Sequence, residues 1–155
     1  MHQINARCFA RADGFTLVEL MVTVLVVAIL FGIAVPTYTS QTQKARRTDA
    51  RSALLDLAGR EERFLSVATS YSQTPTDLGY AGASFPQQVG SYYQINVTVT
   101  AGVPPTPPSF LITATPTSTQ VNDSTCAKFT VDQIGQHKSY DVNNVDTSAT
   151  CWAGT

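Results

Sequence analysis

Glu19 is the only charged side chain between Phe15 and Gln43, and it lies inside the run Phe15 to Pro36, FTLVELMVTVLVVAILFGIAVP. A carboxylate among apolar neighbours is strongly disfavoured unless it is protonated or meets a cation, so the chemistry open to Glu19 is ion pairing. Thr16 stands three residues before it, and Thr16-Leu-Val-Glu19 also has the pattern of a capping box at a helix start. Cys126 and Cys151 form a second grouping, because the third cysteine, Cys8, lies on the other side of the apolar run. In an exported segment such a pair forms a disulfide, and the loop it closes stabilises the fold by roughly 3 kcal/mol in the chain-entropy model. The alternatives are two free buried thiols, or a metal held by Cys126, His137 and Cys151, whose gaps lack paired-ligand spacing. A third grouping is Lys44, Arg46, Arg47, Arg51, Arg60 and Arg63, set against Asp49, Asp56, Glu61 and Glu62, which leaves a net charge of +2 over residues 44–63. A basic patch binds phosphates, and Tyr92 and Tyr93 would add stacking surfaces. A solvated helix face with local ion pairs, Arg60 and Arg63 beside Asp56 and Glu62, explains the same residues and is the reading preferred here.

The other chemistries have no residues to carry them. After Gly14 the chain has one histidine, His137, and it has no serine nucleophile elbow, no glycine loop to cradle phosphate and no carboxylate pair at a recognisable spacing. The sequence is therefore read as a non-enzyme without cofactor or metal. Hydrophobic residues make up 43% of it and charged residues 14%, with a net charge of -1, which excludes a strongly basic nucleic-acid binder and an acidic tail. Beyond Phe64, Lys128 and Lys138 face Asp77, Asp123, Asp132, Asp141 and Asp146, a balance of -3 that repels phosphate.

The elements that position these groups follow from periodicity. About 21 residues of helix before Pro36 span about 31 Å, the width of a bilayer core, so residues 15–36 are read as a membrane-spanning segment. Arg7 and Arg11 against Asp13 place the N-terminus in the cytoplasm and the remainder outside. An ordinary secretory signal has its small residue after the apolar run, whereas here Gly14 precedes it. Residues 37–68 suit helix, with Ala50, Leu54, Leu57, Phe64, Leu65 and Ala68 on one stripe that Glu61 interrupts. One helix from about 16 to 68, bent or loosened near Gly32 and Pro36, is expected.

Residues 69–91 read as an ordered connecting loop with Tyr71, Tyr80 and Phe85 to bury. The period then becomes two. Ile95, Val97 and Val99 mark one strand, Phe110, Ile112 and Ala114 a second, and Ala127, Phe129 and Val131 a third, with AGVPPTPPS as a stiff hairpin tip between the first two. The expected fold is α+β: a long N-terminal helix whose stripe over 50–68 covers a three-stranded antiparallel meander, residues 92–155 forming the sheet and the cysteine-bounded end.

The junction RADGFTLVELMVTVLVVAILFGIAVPTYTSQ resembles the N-terminal signature of type IV prepilins. The resemblance implies a leader of residues 1–14, cleavage after Gly14 by a prepilin peptidase, methylation of the new Phe15 amine and assembly through the N-terminal helix. In that scheme Glu19 neutralises the Phe15 amine of a neighbouring subunit, and the stretch around Gly32 and Pro36 extends or melts on assembly. The leader is longer than is usual and has no lysine.

Further on, Phe110-Leu-Ile-Thr-Ala-Thr-Pro116, Thr125-Cys126-Ala-Lys-Phe129, Val131-Asp-Gln-Ile-Gly135 and Cys151-Trp152 resemble the C-terminal half of PilE-like minor pilins. There the final disulfide encloses a surface region. The group is similar to ComP-type pilins, some of which bind DNA during uptake. Implied partners are the peptidase, other major and minor pilins, and the inner membrane before assembly, with twitching motility as the setting and the pilus as the final location. DNA is disfavoured by charge, and a type II secretion pseudopilin shares the N-terminal signature.

Overall fold

A single α-helix, α1 (Leu17–Val67), begins at the residues expected and runs through Gly32 and Pro36 without interruption. This is the computed structural model of the chain, and it describes residues 14–152; Arg7, Cys8, Arg11 and Asp13 of the expected leader lie outside the described residues. Proline removes one helical N–H, and hydroxyls near it bond to the backbone: Thr37 Oγ1 donates to the Ile33 carbonyl at 3.0 Å and Thr39 Oγ1 to the Pro36 carbonyl at 2.9 Å. The chain divides at Thr39 and Ser40 into two units.

In the second unit the sheet has five strands, β1 (Gln87–Val89), β2 (Tyr93–Thr100), β3 (Ser109–Pro116), β4 (Lys128–Asp132) and β5 (His137–Tyr140), antiparallel throughout and adjacent in chain order. The three expected strands are β2, β3 and β4. The meander is wider than three strands because the connecting loop 69–91 holds a 3-10 turn, Pro75–Leu78, and ends in β1, while β5 pairs Lys128 with Tyr140 and Val131 with His137. Neither added strand has a period-two apolar pattern, since Gln-Gln-Val and His-Lys-Ser-Tyr are ordered by the ladder of a neighbour and not by a buried face of their own.

The faces fall as the alternation predicts. Tyr93, Ile95 and Val97 of β2, Phe110, Ile112 and Ala114 of β3, and Phe129 and Val131 of β4 are buried against Ala50, Leu54 and Leu57 of α1. Ala127 lies just before β4 and is half-buried. Tyr71 meets Phe110 edge-on with centroids 4.7 Å apart, and Tyr80 meets Phe85 at 6.3 Å. At the β2–β3 tip, Thr106 N–H donates to the Val103 carbonyl at 2.7 Å. Gly102 is required there, because a Cβ would lie 2.5 Å from Pro108 N.

A short helix, α2 (Ser148–Cys151), ends at the Cys126–Cys151 disulfide, whose Cα atoms are 5.9 Å apart. The bond removes the free-thiol and metal alternatives together. The His137 ring is stacked on Trp152 at 4.5 Å.

Candidate functional site

The N-terminal unit is a helix that buries nothing of its own. Thr16 caps it, its Oγ1 accepting the Glu19 N–H at 3.2 Å, so one half of the expected capping box is present. The Glu19 side chain does not return the bond: among the described residues its carboxylate has no hydrogen-bond or ion-pair partner, and it is exposed. Phe15 is 82% exposed, and from Leu17 to Val35 each large apolar side chain lies at or above 47% exposure. An apolar surface this continuous is far beyond what a soluble monomer leaves in water, so the helix needs a bilayer or other helices around it. It is long and apolar enough to cross a membrane.

The basic stretch of α1 has a different use from the one its charge pattern suggests. Arg47 makes a two-pronged ion pair with Asp123, Nε to Oδ2 at 2.6 Å and Nη2 to Oδ1 at 2.7 Å. Asp123 also accepts from Gln120 Nε2 at 3.0 Å and the Cys126 N–H at 3.2 Å, so the helix is tied directly to the loop that leads into the disulfide. Arg46 lies 3.5 Å above the Tyr92 ring and donates to Thr119 Oγ1 at 3.1 Å. Arg51 Nη1 donates to the carbonyls of Cys151 and Trp152, at 3.2 and 3.0 Å. The solvated helix face is therefore corrected. These arginines fasten α1 to loops more than seventy residues away, because their stems lie along the helix–sheet edge while their heads find carbonyls and one buried aspartate.

Ion pairing within the helix holds where it was expected for Arg60, whose Nε meets Asp56 at 2.7 Å, but Glu62 accepts from Tyr71 OH at 2.9 Å instead of pairing with an arginine. Burial and the bonded Glu62 push the Tyr71 phenol up to about 12. Arg60 Nη1 also reaches the Leu78 carbonyl at 2.9 Å, passing Gly79, which has φ +76° and where a Cβ would lie 2.8 Å from that nitrogen.

Glu61 is fully buried. Its Oε2 accepts the Ser72 N–H at 3.0 Å and its Oε1 has no partner among the described residues. Burial first, with the Glu62 charge adding and the Ser72 N–H opposing, pushes its carboxyl up to about 7. Ser72 Oγ in turn donates to Asp77 Oδ2 at 2.7 Å. Asp56, Arg60, Glu61 and Glu62 thus pin the loop after α1 to the helix. Glu61 was legible only as a break in the apolar stripe.

Tyr93 is buried and its hydroxyl accepts from Gln120 Nε2 at 3.2 Å, so it fills the core and offers no stacking face; Tyr92 lies under Arg46. The only cations of the stretch without a side-chain partner among the described residues are Lys44 and Arg63.

Two family profiles match the chain. One, a prokaryotic N-terminal methylation motif, covers residues 10–35, and the other, described as type IV minor pilin ComP, DNA uptake sequence receptor, covers residues 36–130. The chain is 32% identical to the type IV major pilin protein PilA of Myxococcus xanthus over 92 residues, 59% of this chain and 40% of that one. It is 30% identical to the type IV major pilin protein PilE of Neisseria gonorrhoeae over 109 residues, 70% of this chain and 59% of that one. The alignments therefore span less than two thirds of either relative. A solved type IV pilin from Shewanella oneidensis overlaps 61% of this chain and 89% of its own, at 24% identity and a TM-score of 0.42.

Proposed function

The chain belongs to the type IV pilin family, in the group described as type IV minor pilin ComP, and on that premise we propose that it is a minor subunit of a type IV pilus. In this reading residues 1–14 are a leader removed after Gly14 by a prepilin peptidase, and the new Phe15 amine is methylated. Before assembly the subunit crosses the inner membrane once through residues 15–36, with its N-terminus cytoplasmic and residues 37–155 on the periplasmic side. It then leaves the bilayer for the filament, or for a priming or tip complex with other pilins, in support of twitching motility.

The observation that carries the reading is the coincidence of the methylation motif over residues 10–35 with an exposed apolar helix whose one charge, Glu19, has no partner among the described residues. A neighbour's Phe15 amine would supply the missing cation, which is the assembly role we give Glu19. We give Pro36 the role of a point where the helix extends on assembly. The test is the intact mass of the protein from cells with and without the peptidase. The expected product lacks residues 1–14, carries one added methyl group and is two hydrogens short for the disulfide; an unprocessed mass in both strains overturns the reading.

The match over residues 36–130 supports a second reading, a pilin that binds DNA in natural transformation. Against it, Arg46, Arg47, Arg51 and Arg60 are engaged within the chain, and the charge beyond Phe64 is negative. Retention of duplex DNA by the full chain in detergent at low salt, lost as salt rises, would support it, and no retention at low salt removes it. The type II secretion alternative predicts loss of protein secretion in a deletion strain, and the pilus reading predicts loss of twitching with secretion intact.

A further inference from the structure

We propose that the groove on the outer face of the sheet, over β3, β4 and β5, binds a carboxylate-bearing saccharide of the uronic acid class. The groove has a volume of about 370 Å³. Register fixes what lines it. Phe129 and Val131 of β4 turn into the core, so Lys128, Thr130 and Asp132 point the other way. Across the strands Thr113, Thr130 and Lys138 form one row, with Lys128 beside Tyr140 on one side of it and Asp132 beside Leu111 on the other.

The polar ends in this groove are not used up by the chain. Thr130 is its most buried member, only 7% exposed, and among the described residues neither its hydroxyl nor that of Thr113 has a hydrogen-bond partner. Lys128 donates to Asn144 Oδ1 at 3.0 Å and lies 4.6 Å from the centre of the Tyr140 ring, both uncharged, so its charge is not neutralised. Lys138 has no hydrogen-bond partner among the described residues and acts on Asp146, which does not line the groove, through its charge alone. Asp132 Oδ1 accepts the N–H groups of Ile134 and Gln136, at 3.1 and 2.7 Å, and Oδ2 has no partner among the described residues. Four steps of strand, about 14 Å, separate Lys128 from Asp132, too far for the two charges to cancel.

The ligand class follows from this mixture. Both lysines of the chain beyond Phe64 line the groove and call for an anion, while the carboxylate at its far end calls for donors on the same ligand. Threonine hydroxyls both donate and accept, as the hydroxyls of a sugar require, and Leu111, 46% exposed, gives a sugar ring an apolar contact. A uronic acid carries one carboxylate among several hydroxyls and so matches the set. A nucleic-acid backbone does not, because Asp132 repels the next phosphate along. Nor does an acidic peptide, since peptides laid on sheets bind through the main chain of an edge strand, and β4 is paired on both sides.

The groove is built from residues 111–140 alone, so the inference stands apart from the pilus reading and from its mass test. Binding of a galacturonic acid hexamer to the full chain in detergent micelles is measured by isothermal titration calorimetry at one fixed salt concentration, with a neutral glucose hexamer and hexaglutamate as controls. The expected Kd is about 1 mM or tighter, with both controls about tenfold weaker or undetectable. Lys138→Gln, which breaks no hydrogen bond within the chain, should keep the thermal midpoint and weaken binding about fivefold or more. Thr130→Val, which keeps the side-chain shape, should weaken it through the lost hydroxyl, and Lys44→Gln on α1 should leave it unchanged. No binding of the uronate, equal binding of the neutral hexamer or of hexaglutamate, or an unaltered Kd in the Lys138→Gln protein overturns the assignment. So does an equal loss in the Lys44→Gln protein, which would make the attraction one of general charge and not of this groove.

Discussion

Glu61 occupies a position on α1 where periodicity calls for an apolar side chain, and the fold accepts it because the loop brings the Ser72 N–H back to Oε2 at 3.0 Å. One bond does not replace the solvation of a full charge, so the carboxyl holds its proton up to about 7. An unfolded glutamate titrates near about 4.3, and between these values the folded chain binds the extra proton. Stability is therefore greatest at the acid end of the window, falls as pH rises through it, and levels off above about 7. Glu61→Gln keeps an oxygen for Ser72 and cannot ionise. It is expected to match the parent near pH 4 and to exceed it at pH 8 by on the order of 2–3 kcal/mol, measured by denaturant unfolding across that range. Parallel pH profiles for the two proteins would show that the buried carboxylate finds a counter-charge after all. The sequence marks this residue as an anomaly but does not show its purpose, since the acceptor role exists only once the loop has folded back.

Among elements, the contact that holds α1 to the loop before β4 is the Arg47–Asp123 pair. Asp123 is almost fully buried and accepts four hydrogen bonds, two from Arg47, one from Gln120 and one from Cys126. Removing a partner from such a pair leaves a buried charge or unmatched donors behind. Asp123→Ala is expected to cost about 3 kcal/mol, Arg47→Ala somewhat less because its outer edge reaches water, and the double variant less than the sum. Additive losses in that cycle would reduce the pair to two independent sites.

Here the sequence is informative by halves. Strands β2, β3 and β4 are legible because each buries alternate apolar side chains, and the stripe through Ala50, Leu54 and Leu57 is legible for the same reason. β1 and β5 are not, because polar segments acquire strand geometry from the ladder beside them. Nor are the targets of Arg46, Arg47 and Arg51, since a contact across more than seventy residues leaves no local periodicity to read, whereas the Arg60–Asp56 pair, four residues apart, is legible.

At the scale of the whole molecule the chain has two kinds of surface, and only one is finished. Residues 40–152 bury a continuous core and close it with a disulfide, while residues 14–39 leave their apolar side chains and one carboxylate without partners among the described residues. In a bilayer the apolar side chains are satisfied and the Glu19 carboxylate is the remaining penalty. In the filament we propose, neighbouring helices replace the lipid and a Phe15 amine meets that carboxylate. On that proposal the same carboxylate is a burden in one setting and a docking point in the other, which favours the move from membrane to filament. Glu19→Val separates the two effects, because it makes the segment more apolar while deleting the docking point. The variant is expected to remain fully in the membrane fraction, to be processed after Gly14, and to fall about tenfold or more in sheared filaments, a loss matching the roughly 1.4 kcal/mol or more of a single desolvated ion pair. Incorporation at the parental level would mean that packing of the apolar helix alone drives assembly, with Thr16 and Glu19 serving only to start the helix.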